Sequence, residues 1–163
     1  MKTCVIGEAD PFIARLLKRF AAESGLQTVV APVGQDVVEL TRHVKPAVVI
    51  VEAELPGTMR GWEAVRALRA DRELCNIPVI ICSWLQEADV RVLVDEVAGH
   101  FQKPELLYED FEAALKMAPT APRLRGERGS PPDWGVRGAA FSSAVATGAA
   151  CPSALREAGV EED

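Results

Sequence analysis

Six side chains able to do chemistry stand directly after short apolar runs. Glu8 and Asp10 follow Cys4-Val5-Ile6, Glu52 and Glu54 follow residues 47–51, Ser83 follows Val79-Ile80-Ile81-Cys82, and Lys103 follows His100-Phe101-Gln102. If these runs are parallel strands of one sheet, their C-terminal ends open onto one crevice. Acids, a hydroxyl and a lysine then converge without a histidine or cysteine nucleophile among them. The chain has no Gly-rich phosphate loop, and Gly7-Glu8-Ala9-Asp10 lacks the three-glycine spacing of a dinucleotide site. Each residue also has a plainer reading. The acids are solvated strand ends, Ser83 caps the next helix with Gln86 or Glu87 completing a capping box, and Lys103 pairs with a nearby carboxylate.

The elements that must position these groups follow one rhythm. Apolar runs at 4–6, 28–31, 47–51 and 78–82 and the short segment 100–102 read as strands, and the 47–51 run has the β-branched continuity of a strand buried on both faces. Between them, apolar residues recur at helical spacing. The first helix carries Phe12, Ile13, Leu16, Leu17 and Phe20 and closes at Ser24-Gly25; the second carries Val37, Val38, Thr41 and Val44 and stops before Pro46. The third carries Trp62, Val65, Leu68 and Arg69. The fourth carries Val90, Leu93, Val94 and Val97, with Gly99 expected to end it. The fifth carries Leu107, Phe111, Ala114 and Leu115. Strands alternating with helices predict an α/β parallel sheet covered on both faces.

The chain has 163 residues, and its composition changes near Pro119. Residues 1–118 are read as one domain. Residues 119–163, rich in Pro, Gly, Ala and Arg, are read as a disordered tail, because few large apolar side chains are there to offset chain entropy. Trp134, Phe141 and Leu155 are among its large apolar residues, and Arg123, Arg125 and Arg128 form a local basic cluster. The net charge of −6 argues against a nucleic-acid partner. No apolar run is long enough to span a bilayer, and the short run before Glu8 is no secretory signal, which predicts a cytoplasmic protein. The cysteines, Cys4, Cys75, Cys82 and Cys151, lack metal-ligand spacing; Cys4 and Cys82 read as core.

The ordered set of Leu55-Pro56-Gly57, Gly61, the run Ile77 to Ser83, and Lys103-Pro104 resembles the receiver domain of two-component response regulators over nearly all of 1–118. The resemblance implies a flavodoxin-like three-layer fold, with five parallel strands in the order 2-1-3-4-5 and five helices. It also implies phosphoryl transfer from a histidine kinase to an aspartate ending strand three. A magnesium ion would be held by that aspartate, an acidic pair after strand one, and a backbone carbonyl. A Ser or Thr ending strand four and the Lys before Pro would hold the phosphoryl oxygens.

Ser83 and Lys103 match that pattern, but other positions depart from it. Glu52 stands at the phosphoacceptor position, and Ala9 replaces the usual direct metal ligand beside Glu8. Trp84 follows Ser83 where a small residue is usual, and is read either as core filling or as a cover over the entrance. His100 holds the aromatic switch position and is read as a half-buried edge-strand histidine. Glu8 and Glu52 are thus a vestigial magnesium site, binding the metal weakly at most, and no cofactor or catalytic residue is expected. These departures predict a degenerate receiver that is not an enzyme and acts as a phosphorylation-independent interaction module, with a direct Glu52–Lys103 ion pair and Ser83 close by. The expected partner is a kinase, receptor or other regulator docking on the helix 4–strand 5–helix 5 face or on the tail. The alternatives are a weakly active phosphoacceptor using Glu52, or a small α/β ligand-binding domain.

Overall fold

The computed structural model describes residues 2–94 and 97–117. The expected tail at 119–163 lies outside the described residues. Among the described residues ten elements alternate: β1 (Thr3–Gly7), α1 (Pro11–Glu23), β2 (Gln27–Ala31), α2 (Gly34–Val44), β3 (Val48–Val51), α3 (Gly61–Ala70), β4 (Val79–Ser83), α4 (Glu87–Leu93), β5 (Gly99–Gln102) and α5 (Tyr108–Met117). The strands form one parallel sheet in the order β2-β1-β3-β4-β5. This is the flavodoxin-like topology expected of the sequence.

The continuous apolar runs are explained by two separate cores. Val5, Val49, Val51, Val79 and Ile81 face one layer, with Val37 of α2, Ala64, Val65 and Leu68 of α3, and Val90 of α4. Their neighbours Cys4, Ile6, Val48, Ile50, Ile80 and Cys82 face the other, with Ile13, Leu17 and Phe20 of α1 and Phe111 of α5. Successive strand residues point to opposite faces, so a strand roofed on both sides must be apolar at every position. Cys4 and Cys82 are buried members of that wall, and burial raises both thiols to about 12.

Helix ends follow local chemistry. Asp10 caps α1, accepting from the backbone N–H of Phe12 at 2.7 Å and of Ile13 at 3.1 Å, with Pro11 in the first turn. Asp10 therefore serves the start of α1 and not the crevice, although its place after β1 reads as that of a crevice acid. The fourth helix differs from expectation. It ends at Leu93, with extended backbone at Val94, and Gly99 opens β5 rather than closing the helix. Val90 and Val94 are both buried, so helical spacing continued in the sequence past the point where the chain leaves the helix.

Two glycines hold the crevice loops. A Cβ at Gly61 would collide with the carbonyl oxygen of Glu52, so α3 begins directly against the end of β3; the Trp62 N–H then donates to the Ala53 carbonyl at 3.0 Å. Gly57 sits at φ 111°, a left-handed region that disfavours side chains. The Leu55-Pro56-Gly57 punctuation is thus a real turn between Glu52 and α3.

Candidate functional site

The crevice groups come together as the strand order requires. The Glu52 N–H donates to the Gly7 carbonyl at 2.8 Å, placing Glu52 beside the end of β1 and hence beside Glu8. The Lys103 N–H donates to the Ser83 carbonyl at 2.8 Å, extending the β4–β5 ladder by one residue. The Lys103–Pro104 peptide bond is cis. Glu8, Glu52, Ser83 and Lys103 are all buried, whereas Ala9, Asp10 and Glu54 are exposed.

Lys103 is the centre of the site. Its Nζ donates to Glu52 Oε2 at 2.5 Å and to Glu8 Oε2 at 2.6 Å. Its side chain is only 2% exposed. The expected Glu52–Lys103 pair is present, but it is one arm of a three-body cage. The sequence signal for the second arm is Glu8 itself, an acid at the end of β1. Burial alone would push the Lys103 ammonium down; the hydrogen bonds and charges of Glu52 and Glu8 outweigh it and hold the group above its ordinary value.

The remaining carboxylate oxygens are also engaged. Glu8 Oε1 accepts from the Asp10 N–H at 2.9 Å, and Glu52 Oε1 accepts from the Glu54 N–H at 3.1 Å. Each glutamate therefore divides its two oxygens between a loop amide and the ammonium. The extra methylene of a glutamate, relative to aspartate, lets each carboxylate reach inward to Lys103 while still gripping its own loop.

Ser83 is fully buried at the end of β4, and its Oγ accepts from the Leu85 N–H at 3.2 Å. It does not cap α4, whose N-cap is Gln86 with no side-chain cap bond. The capping-box reading is therefore corrected: the hydroxyl folds the β4–α4 turn two residues ahead instead. Trp84, in that turn, is 59% exposed and is not core filling. Its ring centroid lies 6.0 Å from Lys103 Nζ, at the outer limit of a cation–π contact. His100 is half-buried on β5, the edge strand, as expected. Its Nε2 is buried with no hydrogen-bond partner among the described residues. Burial lowers its pKa below the ordinary 6.5, against the opposing pull of Glu87 and Glu52.

Fold and crevice together define a receiver. The family model for the response regulator receiver domain matches residues 4–114, and the chain belongs to that family. It is thus a receiver domain of two-component signalling. Among curated relatives, it is 36% identical over 90 residues to Protein PilH of Pseudomonas aeruginosa, covering 55% of this chain and 74% of that protein. It is 29% identical over 99 residues to hybrid signal transduction histidine kinase D of Dictyostelium discoideum, covering 60% of this chain but only 6% of the kinase. Among solved structures, the receiver domain of a signal transduction histidine kinase from Syntrophus aciditrophicus superposes with a TM-score of 0.65 at 25% identity, covering 78% of this chain and 96% of that one. A receiver domain of a Pseudomonas aeruginosa sensor histidine kinase, solved with magnesium in its active-site cleft, gives 0.64 at 17% identity over 72% and 96%. Among the described residues, no helix is long and apolar enough to cross a membrane.

Proposed function

We propose that this receiver is degenerate: it is held in one arrangement by an internal cation and works as a phosphorylation-independent interaction module, not as an enzyme. The observation that carries this reading is the ammonium of Lys103 bound at once to Glu8 and Glu52 in a buried site. In a working receiver, magnesium offsets the acids and the lysine serves the phosphoryl group. Here one side chain offsets both acids.

The residues present do not fit magnesium. All four oxygens of Glu8 and Glu52 already accept hydrogen bonds, from Lys103, Asp10 and Glu54. Ala9 brings a methyl group where a carboxylate ligand would stand. Magnesium demands near-octahedral oxygen geometry and sheds water reluctantly, so this donor set binds it weakly at most. Phosphoryl transfer to Glu52 would in addition require the nucleophilic oxygen to leave Lys103. With the cage closed, the β1–α1, β3–α3 and β5–α5 loops are tied to one another without phosphate. The surface they support, α4, β5 and α5, is then presented constitutively to a kinase, receptor or other regulator. The domain is proposed to comprise residues 1–118 of a cytoplasmic protein that does not use nucleic acid as its partner.

The test is incubation of the full chain with magnesium and a radiolabelled small acyl phosphate. No retained label is expected. Label retained by the wild-type chain and lost in Glu52→Gln would overturn the reading in favour of a weakly active phosphoacceptor.

A further inference from the structure

Away from the cage, an open groove of about 420 Å³ runs between α3 and α4, lined by Glu54, Trp62, Leu85, Asp89, Val92 and Leu93. Its floor is apolar and its shape is fixed. Arg66 lies over the Trp62 ring at 4.9 Å and donates from Nε to the Leu93 carbonyl at 2.8 Å, pinning α3 to the end of α4. Val92 is 80% exposed there, a large apolar side chain in water. The rim carries two exposed acids, Glu54 and Asp89, and among the described residues neither carboxylate has an ion-pair or hydrogen-bond partner. Arg66 is the cation at the groove, and it is already committed to Trp62 and Leu93.

We infer that this groove receives the chain's own segment Arg123-Leu124-Arg125, which covers the α3–α4 face in cis. Charge and spacing both match. In a chain of net charge −6, the residues beyond α5 concentrate cations at Arg123, Arg125 and Arg128. An extended segment turns alternate side chains to opposite sides. Leu124 then meets the floor, while the long arginine side chains bend to the two rim carboxylates. The reach suffices. The cluster begins six residues and ends eleven residues after Met117. The docking residues Arg123 to Arg125 stand six to eight residues past Met117, about 20–29 Å of extended chain. Tethering on so short a connection supplies a millimolar-range effective concentration, so a few weak contacts populate the docked state. A regulator that needs this face must displace the segment. The inference is independent of the Lys103 cage.

The test places a benzophenone amino acid at position 124 of the full chain and irradiates at low micromolar concentration. Intramolecular cross-links to the peptide spanning residues 84–93 are expected. Their yield falls about fivefold in Glu54→Lys/Asp89→Lys, as two exposed ion pairs become repulsions. It recovers when Arg123→Glu and Arg125→Glu are added. Both acids are exposed, so these variants keep the fold. Cross-links to another face overturn the inference, as do cross-links between molecules only, which would make a second copy the occupant. A yield indifferent to charge reversal also overturns it.

Discussion

At Lys103 the environment determines what each substitution should do. Glu8, Glu52 and Lys103 carry a formal net charge of −1 in a site almost closed to water. Removing the cation strands two carboxylates, and breaking a buried pair this way costs about 3–5 kcal/mol. Lys103→Met should therefore lower unfolding free energy by that order at neutral pH. Part of the loss should return in acid, as adjacent carboxylates take up a proton. Glu52→Gln is a different case. It leaves Glu8 and Lys103 as a neutral pair and keeps an oxygen for the ammonium, so its loss should be under about 1.5 kcal/mol. A two-body reading would have the Glu52→Gln/Lys103→Met double mutant no worse than either single change. With Glu8 in the cage, the double mutant still strands one acid and should stay well below Glu52→Gln; only the triple change with Glu8→Gln removes every charge. Urea unfolding of the set measures these differences. The raised Lys103 pKa gives a second check. A group raised on folding stabilises fully below its unfolded value and loses that contribution as pH rises through the folded one. Wild-type stability should thus fall at pH above the ordinary lysine value of 10.5 with a slope that Lys103→Met lacks. The metal follows the same chemistry. Ala9→Asp/Glu52→Asp supplies the missing carboxylate and shortens the arm that reaches Lys103, so magnesium should quench or enhance Trp84 fluorescence at lower concentration in the double mutant than in wild type. Equal responses would mean that the defect lies elsewhere.

At the scale of elements, most of the architecture was legible. The runs of β1, β3 and β4 are apolar at successive positions because helices cover both faces of the sheet there, whereas the edge strands β2 and β5 carry polar residues. The end of α4 was not legible: Val90, Leu93, Val94 and Val97 keep helical spacing, yet the chain turns extended at Val94. Periodicity records which side chains are buried and not how the backbone reaches them. The meeting of Glu52 with Lys103 was legible through the motif order, whereas the inward reach of Glu8 depends on a side-chain torsion that spacing does not encode. His100 supplies the prediction at this scale. Its folded pKa is lowered, so the unfolded chain binds more protons below about 6.5 and stability should decline as pH falls through that value. His100→Phe fills the same half-buried place on β5 without a titrating group. The part of the acid decline that begins near pH 6.5 should disappear in it. An unchanged profile would assign that decline to another group.

At the scale of the whole molecule, the two core layers carry a crevice in which Lys103 ties Glu8 to Glu52. Under the proposed function, the receiver's output surface is set by covalent sequence and not by a transferred group. Amide chemical shifts of α4, β5 and α5 report that surface residue by residue. The decisive measurement is the amide map of the full chain with and without magnesium and a small acyl phosphate, alongside Ala9→Asp/Glu52→Asp. The account predicts a wild-type map unchanged by both additions, and shifts through Ser83, Lys103 and the β4–α4 turn only in the double mutant. Shifts spreading from Glu52 to α4 and β5 in the wild-type chain would show a phosphate-driven switch and contradict the lock.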